Sequence, residues 1–86
     1  MALPPSSKAP VRHRLRCARG QLDGVLRMLD EDCDCAEIIT QLASASKALH
    51  RAGVAMITAS LEQALRSDDV TANERARLER LFLTLG

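Results

Sequence analysis

Aromatic residues are nearly absent from this chain of 86 residues, which has one phenylalanine, Phe82, and no tryptophan or tyrosine. Its hydrophobic content is nevertheless 47%. Leu, Ile, Val and Ala without large rings favour interdigitated helices over a β-sandwich. A core of this kind is weak for a monomer of this size. We therefore expect the chain to oligomerise.

Long apolar runs are also missing. No run approaches the roughly 20 residues of a membrane span, and the N-terminus lacks the apolar segment of a secretory signal. We therefore expect a cytoplasmic protein without a membrane partner. The three cysteines, Cys17, Cys33 and Cys35, are an odd number, and a reducing compartment does not favour a disulfide framework. With neither a base–nucleophile pair nor a phosphate-binding glycine loop, we do not expect an enzyme.

The two parts of the chain differ in charge, although the net charge is only +1. Residues 1–22 carry five bases and no acid, whereas residues 23–86 carry seven bases against eleven acids. A basic segment on a mildly acidic body indicates an anionic partner, and it also fits a solvated helix face.

Apolar spacing predicts three helices and no strand. Residues 1–10 hold all three prolines and predict a flexible tail, followed by a single helical domain over residues 11–86. Two segments repeat a 4-3-4-3-4 apolar spacing, namely Val11, Leu15, Ala18, Leu22, Val25 and Leu29, then Ile38, Leu42, Ala45, Leu49, Ala52 and Met56. The second helix has a further apolar stripe, so it must pack within the protomer and against another chain. A turn over 67–73 precedes a short third helix with a Thr71–Glu74 capping box.

Cys35 lies at the predicted start of the second helix. There the positive end of the helix dipole favours a thiolate, whereas Asp32, Asp34 and Glu37 disfavour a further negative charge. The acidic segment 30–34 also supplies candidates for the N-cap of this helix. A thiol in this position is a usable metal ligand or nucleophile.

The segment 14–35 carries a joint pattern. It reads R-L-x-x-x-x-G-Q-x-x-G-x-x-R-M-x-x-x-D-x-x-C and is followed by Gln41-Leu-Ala-Ser-Ala45. Over residues 12–66 the chain resembles the CsoR/RcnR/FrmR family of small all-helical transcriptional repressors. The resemblance implies a three-helix protomer that forms an antiparallel four-helix-bundle dimer and then a dimer of dimers.

The resemblance also implies binding to double-stranded operator DNA through basic side chains, with release by an effector. The positions that match the family's DNA-contacting bases are Arg14 and Arg51. Four nearby basic side chains are expected to add to the positive electrostatic potential of this surface: Arg12, Arg16, Arg19 and Lys47. Arginine and lysine contacts to phosphate give an affinity that falls steeply with salt.

The family's Cu(I) site is incomplete in this sequence. Cys35 stands at the position of one ligand of that site, but Ser60 and Ala64 stand at the positions of the other two. Arg80 replaces a supporting glutamate of the family. Serine binds soft metals poorly and alanine does not bind them. A soft ion such as Cu(I) bound through Cys35 therefore lacks its usual ligand set.

Other ways of sensing stay open. Cys33 substitutes as a ligand only if it lies in an unwound turn, because residues two apart on a helix diverge by about 160°. Zinc would need two further ligands, and neither His13 nor His50 is expected to supply one. A sulfur sensor needs a second thiol. Ser60 occupies the position where the family usually has this thiol, so Cys33 or Cys17 of a neighbouring chain would have to supply it. We expect Cys17 to be a buried small apolar residue.

The formaldehyde-sensing relatives use an N-terminal proline amine, where this chain has Ala2. The sequence thus predicts a repressor that senses a metal ion, a reactive sulfur species or an aldehyde at Cys35, together with Cys33. The alternative is a helical interaction module of the same fold that has lost both sensing and DNA binding.

Overall fold

The computed structural model describes residues 3–66 and 71–85. They form three helices, α1 (Pro5–Asp30), α2 (Cys35–Arg66) and α3 (Ala72–Leu85). The described residues contain no strand, which confirms the predicted all-α class. Helices α1 and α3 each pack on α2.

Helix α1 begins earlier than the apolar pattern predicts. The helical conformation runs from Pro5, so the predicted start at Val11 is wrong, and only Leu3 and Pro4 precede the helix among the described residues. Proline suits the first helical position, where the fixed φ is helical and the missing N–H has no intrahelical partner. Pro10 lies inside the helix and removes one hydrogen bond near its N-terminus. Residues 1–2 of the predicted tail lie outside the described residues.

A tight turn reverses the chain between α1 and α2. Asp32 has a φ of +54°, the left-handed conformation that aspartate tolerates better than most residues. The amide of Cys33 donates to the carbonyl of Met28 at 3.0 Å, and the amide of Asp32 donates to the carbonyl of Leu29 at 3.4 Å. These two bonds define a Schellman motif, which satisfies the last carbonyls of α1.

Side-chain caps fix the starts of the next two helices. The carboxylate of Asp34 accepts from the amide of Ala36 at 3.2 Å, so the predicted acidic N-cap of α2 is confirmed. The hydroxyl of Thr71 accepts from the amide of Glu74 at 3.1 Å, which is one of the two bonds of the predicted capping box. Residues 67–70 of the predicted turn lie outside the described residues, and positions 72–73 are already helical.

The interface between α1 and α2 is built from small residues seven apart. On α1 the buried residues are Val11, Ala18 and Val25, and on α2 they are Ala45 and Ala52. The intervening members of both seams are large and remain 38–54% exposed: Leu15, Leu22 and Leu29 on α1, and Leu42, Leu49 and Met56 on α2. Alternate members of each predicted seam therefore close the protomer, with Ile38 on α2 only half-buried, and the large members between them are left open.

Helix α3 covers the far part of α2. Leu78 is buried there, and Leu85 lies so close to Gly53 that an added Cβ at this glycine would be 2.8 Å from both Leu85 methyl groups. The absence of a side chain at Gly53 is what permits this approach. Phe82, the chain's one aromatic residue, remains 52% exposed.

The protomer is a single layer of helices. It measures 54 × 24 × 12 Å, and its smallest dimension is close to the width of one helix, about 10–12 Å. Its radius of gyration is 16.5 Å, against about 12 Å for a compact domain of this length. Stable domains bury their apolar surface between at least two layers. One layer leaves the large apolar side chains uncovered.

Candidate functional site

Cys35 is the first residue of α2, and its thiol is exposed. Cys33 is half-buried and lies in the turn that precedes the helix. The two thiols could converge only if Cys33 lay outside the helix, and this condition is met. Asp34 lies between them and caps α2 with its carboxylate. The site thus combines two free thiols, a helix N-terminus and an acidic cap.

The remaining sensor positions are remote from Cys35 within one chain. Ser60 and Ala64 lie on the same helix, and at 1.5 Å per residue Ser60 is about 38 Å away along its axis. Across residues 3–66 and 71–85, no group of three or more His, Cys, Asp or Glu side chains is arranged to hold a metal ion. Within one chain, Cys35 therefore does not meet positions 60 and 64.

Arg14 and Arg51, the predicted principal DNA contacts, lie together. Both line a groove of about 560 Å³ between α1 and α2, which also includes His50 and Glu62. Both also line the adjoining groove of about 480 Å³, which includes His13. The two guanidinium groups, both exposed, therefore share one surface although they belong to different helices.

The other predicted bases are divided between two surfaces. Arg12, Arg16 and Arg19 line a separate depression on α1 together with Leu15. Lys47 is exposed on α2, one turn before Arg51, and so belongs to the Arg51 side of that helix. The structure therefore does not bring all six bases into one cluster.

Cys17 is exposed, so the prediction that it is a buried apolar residue is wrong. Its Sγ lies 3.8 Å from Nε2 of His13, one turn earlier on α1. Both residues line the smaller of the two grooves that contain Arg14 and Arg51. The spacing of four residues was visible in the sequence, but the neighbouring apolar seam suggested burial.

The comparison with protein families decides the class of this chain. The model described as "Metal-sensitive transcriptional repressor" matches residues 7–85. The chain belongs to this family. The match extends beyond the residues 12–66 of the sequence pattern and includes α3. The members are transcriptional repressors and not enzymes.

Two mycobacterial relatives illustrate the similarity. The chain is 32% identical over 75 residues to the copper-sensing transcriptional repressor CsoR of Mycobacterium ulcerans, covering 87% of this chain and 64% of the relative. It is 30% identical over 77 residues to the protein of the same name from Mycobacterium tuberculosis strain H37Rv, covering 90% of this chain and 65% of the relative. The chain thus spans slightly less than two thirds of the length of the curated relatives it matches. No solved structure matches it significantly.

None of the helices in the described ranges is both long enough and apolar enough to cross a membrane. Helix α2 has the necessary length, with 32 residues. Its polar residues, among them Lys47, His50 and Arg51, interrupt the apolar stretches.

Proposed function

We propose that this protein is a DNA-binding transcriptional repressor that leaves its operator when an effector acts on Cys35. The observation that carries the DNA-binding part is the shared surface of Arg14 and Arg51. Two exposed arginines from adjacent helices line the same groove, which suits contacts to the phosphates of double-stranded DNA.

The repressor acts as a dimer or a dimer of dimers. The support is the single layer of helices with its exposed leucines, since a second copy laid on the open seam would supply the missing layer. Assembly also multiplies the basic surface, because each copy adds one Arg14–Arg51 pair to the field that attracts DNA.

An antiparallel two-fold arrangement gives the open seam of α2 a simple register. Leu42 and Met56 lie seven residues before and after Leu49. An axis near Leu49 therefore packs Leu49 on its own copy and Leu42 on the partner subunit's Met56. The same register brings Cys35 opposite positions 60–64 of the partner, which is where the family completes its sensor site.

The residues at those positions do not fit a Cu(I) site. A serine hydroxyl, an alanine methyl and the guanidinium of Arg80 replace soft or anionic groups. We therefore assign sensing to the thiol chemistry of Cys35, with Cys33 as the nearest second thiol, and derive no step through a bound copper ion. The effector class is a species that reacts with a thiol, such as a reactive sulfur species or an aldehyde.

Replacement of the paired arginines tests the DNA-binding part. Arg14→Ala and Arg51→Ala should each weaken binding to the operator and flatten its salt dependence by about one unit in log Kd per log salt for each contact removed. Arg77→Ala is the matched control, because it removes the same charge from an exposed position on α3. Fluorescence anisotropy over a salt series measures both quantities. If all three substitutions change the operator affinity and its salt dependence equally, Arg14 and Arg51 contribute only nonspecific charge and are not the DNA contacts.

Mass spectrometry and DNA release together test the sensing part. A persulfide donor and formaldehyde should modify Cys35 and dissociate the wild-type complex, whereas Cys35→Ala should bind DNA and stay bound. Ser60→His with Ala64→Cys should create a tight Cu(I) site that includes Cys35 and that wild type lacks. If wild type already holds a Cu(I) ion that is lost in Cys35→Ala, and if that ion releases DNA, the assignment to thiol chemistry is wrong. If no operator binding is found at all, the chain is the interaction module considered above.

A further inference from the structure

The contact between His13 and Cys17 has no role in the function proposed above. Both side chains are exposed on α1, with Sγ of Cys17 3.8 Å from Nε2 of His13. A spacing of four residues puts two ligands on the same face of a helix. Sulfur and imidazole nitrogen are donors that soft and borderline metal ions prefer.

The distance matches that of two ligands on one metal ion. Typical bonds are about 2.3 Å from zinc to sulfur and about 2.0–2.1 Å from zinc to imidazole nitrogen. With these lengths, a separation of 3.8 Å corresponds to a sulfur–metal–nitrogen angle of about 120°. The two donor atoms therefore need no rearrangement of the helix to share an ion.

The surroundings leave room for the ion and a further ligand. The pair lines a groove of about 480 Å³ whose wall includes Gln21, one turn beyond Cys17. The side-chain oxygen of Gln21 is buried and accepts no hydrogen bond. The pair also lies about 160° around α1 from Leu15, at 100° per residue. A dimer that covers the exposed leucines would therefore leave the pair accessible.

We propose that His13 and Cys17 form a binding site for a soft monovalent ion of the Cu(I) class. Two protein ligands are too few for a structural zinc ion, which takes four. A Cu(I)-class ion needs only two or three, and the third comes from solution, for example a small thiol. The site is separate from the Cys35 thiol, because Cys17 lies about 20 Å along α1 from the turn that carries Cys33 and leads into Cys35.

The position of the site links it to the DNA-binding surface, a consequence that rests on the proposed function. Arg14 and Arg51 line the same groove as the pair. DNA held by these arginines would therefore cover the ion.

Silver is a suitable probe, because Ag(I) shares the ligand preferences of Cu(I) and is not oxidised. The titration uses the full-length Cys33→Ser/Cys35→Ser variant without DNA, so its result does not depend on repressor activity. Native mass spectrometry should find one Ag(I) per protomer. The imidazole resonances of His13 should shift on binding, and those of His50 should not. Adding Cys17→Ser should abolish binding, and His13→Ala should weaken it at least about tenfold.

His50→Ala is the matched control and should leave the affinity for Ag(I) unchanged. His13 and Cys17 are exposed, so their substitution should preserve the helical circular dichroism signal, which is measured for each variant. The proposal is overturned if no Ag(I) binds, if binding survives Cys17→Ser, or if the bound ion leaves the His13 resonances unmoved.

Discussion

Leu49→Ala should weaken the assembly of two chains about 30-fold while the protomer keeps its helices. Leu49 is 44% exposed in the protomer, between Leu42 and Met56 on the open seam of α2. In the antiparallel arrangement it lies at the two-fold axis, so one substitution removes two side chains from the centre of the interface.

The magnitude follows from the exposed fraction of this side chain. Leucine to alanine removes three carbons, worth about 2.4 kcal/mol at about 0.8 kcal/mol for each buried CH₂ group. Because 44% of Leu49 is still exposed before assembly, about 1 kcal/mol per chain belongs to the dimer interface. Two copies contribute about 2 kcal/mol, and each 1.4 kcal/mol is a factor of about ten in the dissociation constant.

Sedimentation equilibrium over a dilution series measures this constant. Leu83→Ala makes the same truncation on α3, where Leu83 is 75% exposed and lies off the proposed dimer seam. It should leave the dimer constant unchanged. A Leu49→Ala protein that associates as tightly as wild type, or a Leu83→Ala protein that dissociates equally, would place the interface elsewhere.

Three further results are expected. Asp32→Gly should stabilise the protein by up to about 1 kcal/mol in urea unfolding at fixed protein concentration, because φ is positive at this residue. In the same assay Asp34→Ala should destabilise it by about 1 kcal/mol through loss of the α2 cap, and an unchanged midpoint would contradict the assigned cap. Operator DNA should slow the alkylation of Cys17, which shares a groove with Arg14 and Arg51, and equal rates with and without DNA would contradict DNA binding at this groove.

Local signals were sufficient to predict the number and order of the helices, but not the start of α1. The spacing of Val11, Ala18 and Val25 correctly indicated the buried side of α1, and Asp34 and Thr71 were recognisable as caps. The start of α1 was missed, because prolines among residues 1–10 suggested an irregular chain. Pro5 instead begins the helix, where its fixed backbone angle is an advantage.

The division of the apolar seam could not be read from the sequence. Leu15 and Val11 have equivalent places in the 4-3-4 pattern, yet Val11 is 5% exposed and Leu15 is 43% exposed. The close packing of α1 on α2 selects the small members of each seam, and this depends on how the two helices approach. Cys17 was misjudged for the same reason, since its neighbour Ala18 is buried and Cys17 itself lies on the exposed flank.

In the proposed repressor, the length of α2 links sensing to assembly. Cys35 and Ser60 are separated by most of the helix, about 38 Å, so one chain cannot bring them together and a second antiparallel chain can. The leucines that would form this contact lie between the two positions and include neither of them. Substitutions at 60 and 64 can therefore remove the copper ligands without affecting the apolar seam or the Arg14–Arg51 surface. The same helical framework can keep its DNA-binding surface while its effector changes, because its fold does not determine which species acts on the thiol.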